Sequence, residues 1–350
     1  MLGRLRKWWL LVFSLIKAKL TTSDTSEGAV ALLDTSINTD NIGDAIIMYY
    51  CRKALDEIFP EQNYIKVPTH SCPDAQTLEE MKRCQEKIIC GTNILSCALE
   101  YTGLWKMPDR KEDYIGCIAM GAGWGFYSDK ISWYTRIFYR QILNKKKLHS
   151  VRDRYTLGKL QEIGMKNVIY TGCPTMWALT PEHCATIPCE KSRSVVFTVS
   201  SYSPDITDKN MIEILCKNYE TVYAWPQGKG DREYIQKLTD EREKVILLEG
   251  NMEAYCKLMQ EETLDYVGTR LHGGVMALNF KKRSIVIAID NRATEIGKDT
   301  GLPILCRNEI AEKLEVRICS SWGTRIYMPL DNIKIWKEQF VQKREQYNSE

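Results

Sequence analysis

From residue 29 to about residue 305, short β-branched apolar runs alternate with stretches that carry a helical repeat. The first series predicts strands at 29–33, 64–67, 86–90, 114–120, 147–151 and 168–170, with helices at 43–58, 75–83, about 132–143 and from 153 to 163. A second series predicts strands at 195–200, 221–225, 245–248, 264–267 and 285–289, again with helices between them. Continuous apolar strands alternating with helices are the pattern of parallel sheets covered on both faces. The expected fold class is α/β, with two Rossmann-like, doubly wound domains facing each other across a cleft. Proline, cysteine and charge cluster without periodicity at 181–193, so the domains are expected at 29–180 and 190–330. A C-terminal helical segment, 332–346 within 331–350, carries Ile333, Trp336, Phe340 and Val341 on one face and should pack on a domain surface.

The amino terminus breaks this rhythm. Arg4, Arg6 and Lys7 precede the apolar run 8–16, which includes Trp8 and Trp9, and Lys17 and Lys19 close it. The run is shorter than the roughly 20 residues a membrane span needs. Cations and tryptophans at both edges instead fit a helix lying on an anionic membrane surface, with a core or dimer helix as the alternative. The Ser/Thr-rich stretch 21–28 reads as a linker, completing a segment 1–28 outside the domains.

Composition sharpens this picture in two respects. At 350 residues, 44% hydrophobic and 27% charged, the chain is globular and long enough for two cores, while a net charge of +3 gives no nucleic-acid footprint. The thirteen cysteines are odd in number, contain no C-x-x-C pair and follow no cleavable signal. They read as reduced thiols of a cytosolic protein, mostly core fillers, with the protein peripheral on the inner face of the membrane.

The chemistry concentrates around residues 264–290, a strand, the turn Gly268-Thr-Arg-Leu-His-Gly-Gly274, a short helix and a second strand ending at Asp290. Arg270 and His272 fall where the first strand feeds the helix. Unpaired N–H groups and the glycines Gly273 and Gly274 let an anion approach there. Ser150-Val-Arg-Asp153 places Arg152 at another strand's carboxyl end, beside a helix-capping Asp153. Two arginines on two such edges can grip one small dianion by bidentate contacts, although an ion pair with Asp153 is the plainer use of Arg152. Asn41, Gly43 and Asp44 follow the first strand, where Asp44 is either functional or a helix start. Gly121-Ala-Gly-Trp-Gly125 lacks the spacing of a dinucleotide or P-loop motif.

Taken in order, Asn41-x-Gly-Asp44, the Gly121 turn, Ser-Val-Arg-Asp153, Gly-Cys-Pro174 and Thr-Arg-Leu-His-Gly273 resemble the polysaccharide pyruvyl transferase family over about 29–305. The resemblance implies a GT-B-like pair of Rossmann domains that moves the enolpyruvyl group of phosphoenolpyruvate onto two hydroxyls of a sugar as a ketal, in capsule or exopolysaccharide biosynthesis. It implies a donor site at Arg152, Arg270, Gly273 and Gly274, and an acceptor side in the N-terminal domain with Asn41, Gly43, Gly123 and Trp124. The family's lysine beyond the final strand is represented by Arg292 or Lys298. The chemistry needs a general acid, a base and fixed cations, but no metal and no cofactor besides the donor. His272 is the expected acid, since His70, His149 and His183 lie in a loop, a strand and the linker; Asp44 is the expected base. The acceptor sugar is free or carried on a polyprenyl diphosphate. Two other classes compete. A GT-B glycosyltransferase would offer Glu249 or Asp290 to the ribose of a nucleotide sugar, and an inert membrane-bound scaffold would not bind phosphoenolpyruvate.

Overall fold

A computed structural model describes residues 29–347 except 109–110, 127, 129 and 240–244. The basic segment 4–19 lies outside the described residues. The chain runs β1 (Val30–Asp34), α1 (Ile42–Ile58), β2 (Tyr64–Pro68), α2 (Ala75–Arg83), β3 (Glu86–Cys90), β4 (Cys117–Met120), α3 (Trp133–Ile142), β5 (His149–Val151), α4 (Arg154–Ile163) and β6 (Val168–Tyr170). It continues with α5 (Pro181–Ala185), β7 (Ser194–Thr198), α6 (Thr207–Asn218), β8 (Thr221–Ala224), α7 (Asp231–Leu238), β9 (Val245–Leu247) and α8 (Met252–Glu261). The last elements are β10 (Leu264–Gly268), α9 (Leu271–Asn279), β11 (Ser284–Ala288), α10 (Asn291–Thr300), β12 (Ile304–Cys306), α11 (Glu315–Cys319) and α12 (Leu330–Tyr347). The apolar runs and the strands coincide apart from their edges. The segment 114–120 shortens to β4 because residues 111–114 wind into a 3-10 turn.

Two compact units result. The first comprises the chain up to Thr39, Ile47–Pro174 and Pro329 onward; the second comprises Asp40–Ile46 and Thr175–Met328. The division falls after Pro174, ahead of the aperiodic stretch 181–193. The discontinuity has a backbone cause. The Ile42 N–H donates to the Gln227 carbonyl at 2.9 Å, the Lys229 N–H donates to the Asp40 carbonyl at 3.0 Å, and Asn41 forms an antiparallel bridge with Gly228. Asn41, Gly43 and Asp44 therefore belong to the second unit, not to the N-terminal domain in which the sequence pattern places them.

In the first unit the parallel order is β2-β1-β3-β4, with β5-β6 beside it. The join between β4 and β5 is partly made by a side chain. Past the strand end, the Arg152 N–H donates to the Ala122 carbonyl at 3.1 Å, but the Ala119 N–H donates to Nδ1 of His149 at 3.2 Å. Since Nδ1 accepts, Nε2 carries the proton and donates to the Asn144 carbonyl at 2.7 Å. The ring is fully buried, and burial pushes its pKa from 6.5 down to about 4. Helix α12 closes this unit. Trp336 is fully buried and Phe340 meets Phe59 edge-on at 5.3 Å. Gln339 exchanges two hydrogen bonds with the Leu148 backbone just before β5, at 2.7 and 3.1 Å.

In the second unit a six-stranded parallel sheet has the order β12-β11-β10-β7-β8-β9. The chain starts at β7, winds outward through β8 and β9, then returns to β10 and winds the other way. The reversal lies between β7 and β10, the point at which open α/β sheets bind ligands beyond their carboxyl ends. All thirteen cysteines are free thiols and seven are buried, which suits core filling. Among the described residues no helix is long and apolar enough to cross a membrane.

Candidate active site

The turn after β10 is fixed before any ligand arrives. The Arg270 N–H donates to Oγ1 of Thr198 on β7 at 3.2 Å, and the Tyr266 hydroxyl donates to the Arg270 carbonyl at 2.7 Å. Helix α9 starts at once, with Arg270 in the N-cap position and no side chain capping it. The helix thus starts at the sheet's carboxyl edge, where its dipole favours an anion. Gly273 and Gly274 serve a different need. A Cβ on Gly274 would lie 2.6 Å from Cγ2 of Val286 and 2.8 Å from the Tyr266 ring, and one on Gly273 would lie 2.9 Å from Oε1 of Gln227. The helix can sit this close to the strands only without those side chains. The Gly274 N–H is also occupied, donating to the Arg270 carbonyl at 3.2 Å, so its expected role as a donor ligand gives way to packing.

A cavity of about 160 Å3 opens at this edge, entirely within the second unit, and is lined by Asn41, Tyr202, Gln227, Arg270, His272 and Arg292 together with Thr269, Leu271 and 289–290. Arg270 is almost buried, 7% exposed, and its fork is bidentate on Asp231. Nε donates to Oδ2 at 3.0 Å and Nη2 to Oδ1 at 2.7 Å. Among the described residues no hydrogen bond is made by Nη1. The guanidinium lies over the Tyr202 ring at 4.8 Å, and the Tyr202 hydroxyl accepts from Nη2 of Arg292 at 3.3 Å, so one tyrosine ties the two arginines together. Arg292 itself is held by Asp290, the N-cap of α10, through Nε at 2.9 Å and its backbone N–H at 2.9 Å. Burial alone would raise the Asp290 carboxyl; the hydrogen bonds and charge of Arg292, with the Arg292 and Ala293 N–H groups, instead hold it below the ordinary carboxylate range. Also in the lining, Asn41 Oδ1 accepts from the Gly43 N–H at 3.0 Å and from Nε2 of Gln227 at 3.3 Å.

Asn41, Arg270, His272 and Arg292, predicted from sequence, thus meet in one cavity. Lys298 does not join them: it is 67% exposed and pairs with Glu295 at 2.9 Å, one helical turn away on the surface. Asp44 sits in the first turn of α1 and is not among the lining residues. Of the two acidic residues a nucleotide-sugar site would use, Asp290 lines the cavity but holds Arg292 through both oxygens, and Glu249 is exposed against Arg232 outside the lining.

Gly123, Trp124 and Arg152 lie in the first unit. The Arg152 side chain is 3% exposed; its Nε donates to Oδ2 of Asp153 at 3.1 Å and its Nη1 to Asn93. Its Nη2 lies 3.0 Å from Asp153 Oδ2, so the ion pair with Asp153, the plainer use of Arg152, is the one formed, and Arg152 does not line the cavity of the second unit. Gly123 is glycine because a Cβ there would stand 2.3 Å from Cζ of Arg152. Trp124 is fully buried, donating from Nε1 to Cys97 Sγ at 3.0 Å and packed against Tyr139, so its ring cannot reach an acceptor. Sequence reasoning missed Tyr202, Gln227 and Asp231. The signal available for Asp231 was Gly228-Lys-Gly-Asp231 directly after a strand, the same strand–glycine–helix grammar used for Gly268–Gly274.

Comparison with known proteins follows the same line. The model of a family described as polysaccharide pyruvyl transferase matches residues 41–291. No curated protein matches the sequence. Among solved structures, the Staphylococcus aureus MnaA–UDP co-structure is similar over 92% of this chain and 97% of its own, with 11% identity and a TM-score of 0.54. At that identity the likeness concerns the fold, which is GT-B-like. A UDP-GlcNAc 2-epimerase from Neisseria meningitidis bound to UDP-GlcNAc covers 90% of this chain and 99% of its own at 10% identity, with a TM-score of 0.46.

Proposed function

Because the chain belongs to the polysaccharide pyruvyl transferase family, we propose that it transfers the enolpyruvyl group of phosphoenolpyruvate to two hydroxyls of a sugar, forming a pyruvate ketal during cell-surface polysaccharide synthesis. The observation that carries this reading is the pairing of Arg270 and Arg292, bridged by Tyr202, around an uncapped helix start at the switch point of the sheet. That arrangement suits a small molecule bearing a phosphate and a carboxylate.

The donor's anionic groups lie against the arginines and the first N–H groups of α9, and His272 protonates the methylene carbon. An oxocarbenium-like centre forms, and one sugar hydroxyl attacks it. The C–O bond to phosphate then breaks, and the second hydroxyl attacks the same carbon to close the ketal. One proton ends in the new methyl group; of the two released by the hydroxyls, the imidazole recovers one and the other leaves with phosphate. Fixed cations stabilise the departing phosphate without reorganising. The acceptor is a free sugar or one carried on a polyprenyl diphosphate, and the segment 4–19 holds the enzyme to an anionic membrane surface. Deleting residues 1–19 is expected to release the protein from anionic vesicles; unchanged flotation would remove the membrane role.

The test of the central claim is phosphoenolpyruvate-dependent phosphate release together with a pyruvyl mass increment on a candidate saccharide. His272→Gln should lower turnover about 10²- to 10⁴-fold while donor binding is largely kept. Wild-type turnover in that variant would move the acid elsewhere.

A further inference from the structure

The geometry points to Asp231 as the positioning residue of this site: a buried carboxylate that aims Arg270 at the bound anion while cancelling its charge. The inference rests on the transferase reading for its turnover arm only. Asp231 is fully buried at the start of α7 and accepts from three strand ends at once. Its Oδ1 takes the Ser201 N–H beyond β7 at 2.9 Å and Nη2 of Arg270 beyond β10 at 2.7 Å. Its Oδ2 takes the Gly228 N–H beyond β8 at 2.8 Å and Nε of Arg270 at 3.0 Å. Of those strands, β7 and β10 flank the reversal of the sheet and β8 pairs with β7.

The consequence is a division of labour within the guanidinium. One edge is locked on Asp231, and the remaining nitrogen, Nη1, is left for the cavity. Gly228 completes the device from the other side, since a Cβ there would lie 2.4 Å from Nη2 of Arg270 and 3.1 Å from Cζ. Its backbone is not in the left-handed region, so alanine is conformationally allowed and its cost falls on the position of the fork. Arg292 is paired with Asp290 in the same way. Both cations of the cavity are therefore half of a neutral pair, and what they present to a ligand is direction more than net charge.

Two substitutions separate direction from charge. Asp231→Asn removes the counter-charge and one of the two carboxylate acceptors, adding one positive charge to the cavity while loosening the fork. Phosphate affinity, followed by calorimetry with inorganic phosphate, should stay within about threefold of wild type because the charge gain offsets the loss of aim, whereas phosphoenolpyruvate turnover should fall by about tenfold or more. Gly228→Ala leaves every charge in place and displaces the fork, so phosphate binding and turnover should both weaken by about tenfold. A merely structural Asp231 would lower thermal stability in Asp231→Asn without this split between binding and turnover. Wild-type turnover in a folded Gly228→Ala protein overturns the inference, as does Asp231→Asn with unchanged turnover and weakened binding. Should Asp231→Asn fail to fold, Gly228→Ala decides alone. If the wild type binds phosphate yet releases none from phosphoenolpyruvate, the transferase reading fails, and phosphate binding by Gly228→Ala decides the inference: about tenfold weakening supports the aimed fork and wild-type affinity overturns it.

Discussion

His149 makes the first unit sensitive to acid in a calculable way. Its pKa is lowered from 6.5 to about 4 by burial, so between those values the unfolded chain binds a proton that the folded chain refuses. Stability from the neutral ring is therefore fully present above pH 6.5, declines as pH falls, and reaches its full loss near pH 4. The difference between 6.5 and about 4 corresponds to about 3 kcal/mol in total, and about 2 kcal/mol of it is lost between pH 7.5 and pH 5. The perturbation is His149→Gln, which can still accept from the Ala119 N–H and donate to the Asn144 carbonyl but does not titrate. Carboxylates titrate alike in both proteins, so the difference between them isolates the imidazole. Urea unfolding of both at pH 7.5 and 5 should show the wild type losing about 2 kcal/mol more than the variant. Parallel losses would refute a buried neutral ring.

Other outcomes follow from the same contacts. Arg270→Lys keeps the charge but cannot bind Asp231 through two nitrogens while offering a third to the cavity, so donor affinity or turnover should fall about tenfold in steady-state kinetics. Gly123→Ala would drive a methyl into the Arg152 guanidinium and loosen its pairing with Asp153; a loss of about 1–3 kcal/mol in unfolding of the first unit is expected, and an unchanged melting curve would contradict the packing described.

What could be read from the sequence was local. The strand–turn–helix at Gly268–Gly274 announces itself because glycines, arginine and histidine stand consecutively where an apolar run ends, and the amphipathic face of α12 is visible in the spacing of Ile333, Trp336 and Phe340. What could not be read depends on partners distant along the chain. Arg270 and Asp231 are separated by 39 residues, and Asn41 and Gln227 by 186. Nothing in the residues near Asn41 shows that it packs with the second unit. Arg152 and Trp124 misled for a related reason: an arginine and a tryptophan at strand ends look alike in sequence whether they face a ligand or are locked by Asp153, Asn93, Cys97 and Tyr139.

The interleaving of the two units bears on how the protein is made. During synthesis Asn41 emerges 186 residues before Gln227, a wait of about 10–40 s at ordinary rates of elongation. The first unit waits longer still, because the buried Trp336 and Phe340 of α12 pack in it and are made after the whole of the second unit. Neither unit is built from one continuous stretch, so neither can form by strict N-terminal-first order: the second needs residues 40–46 and the first needs α12. The nascent first unit must hold its sheet with the site for α12 uncovered, a period in which Phe59 and the backbone around Leu148 are exposed to chaperones or to misassociation. Refolding from denaturant, in which α12 is present from the start, is then expected to follow a different sequence of events from folding during translation.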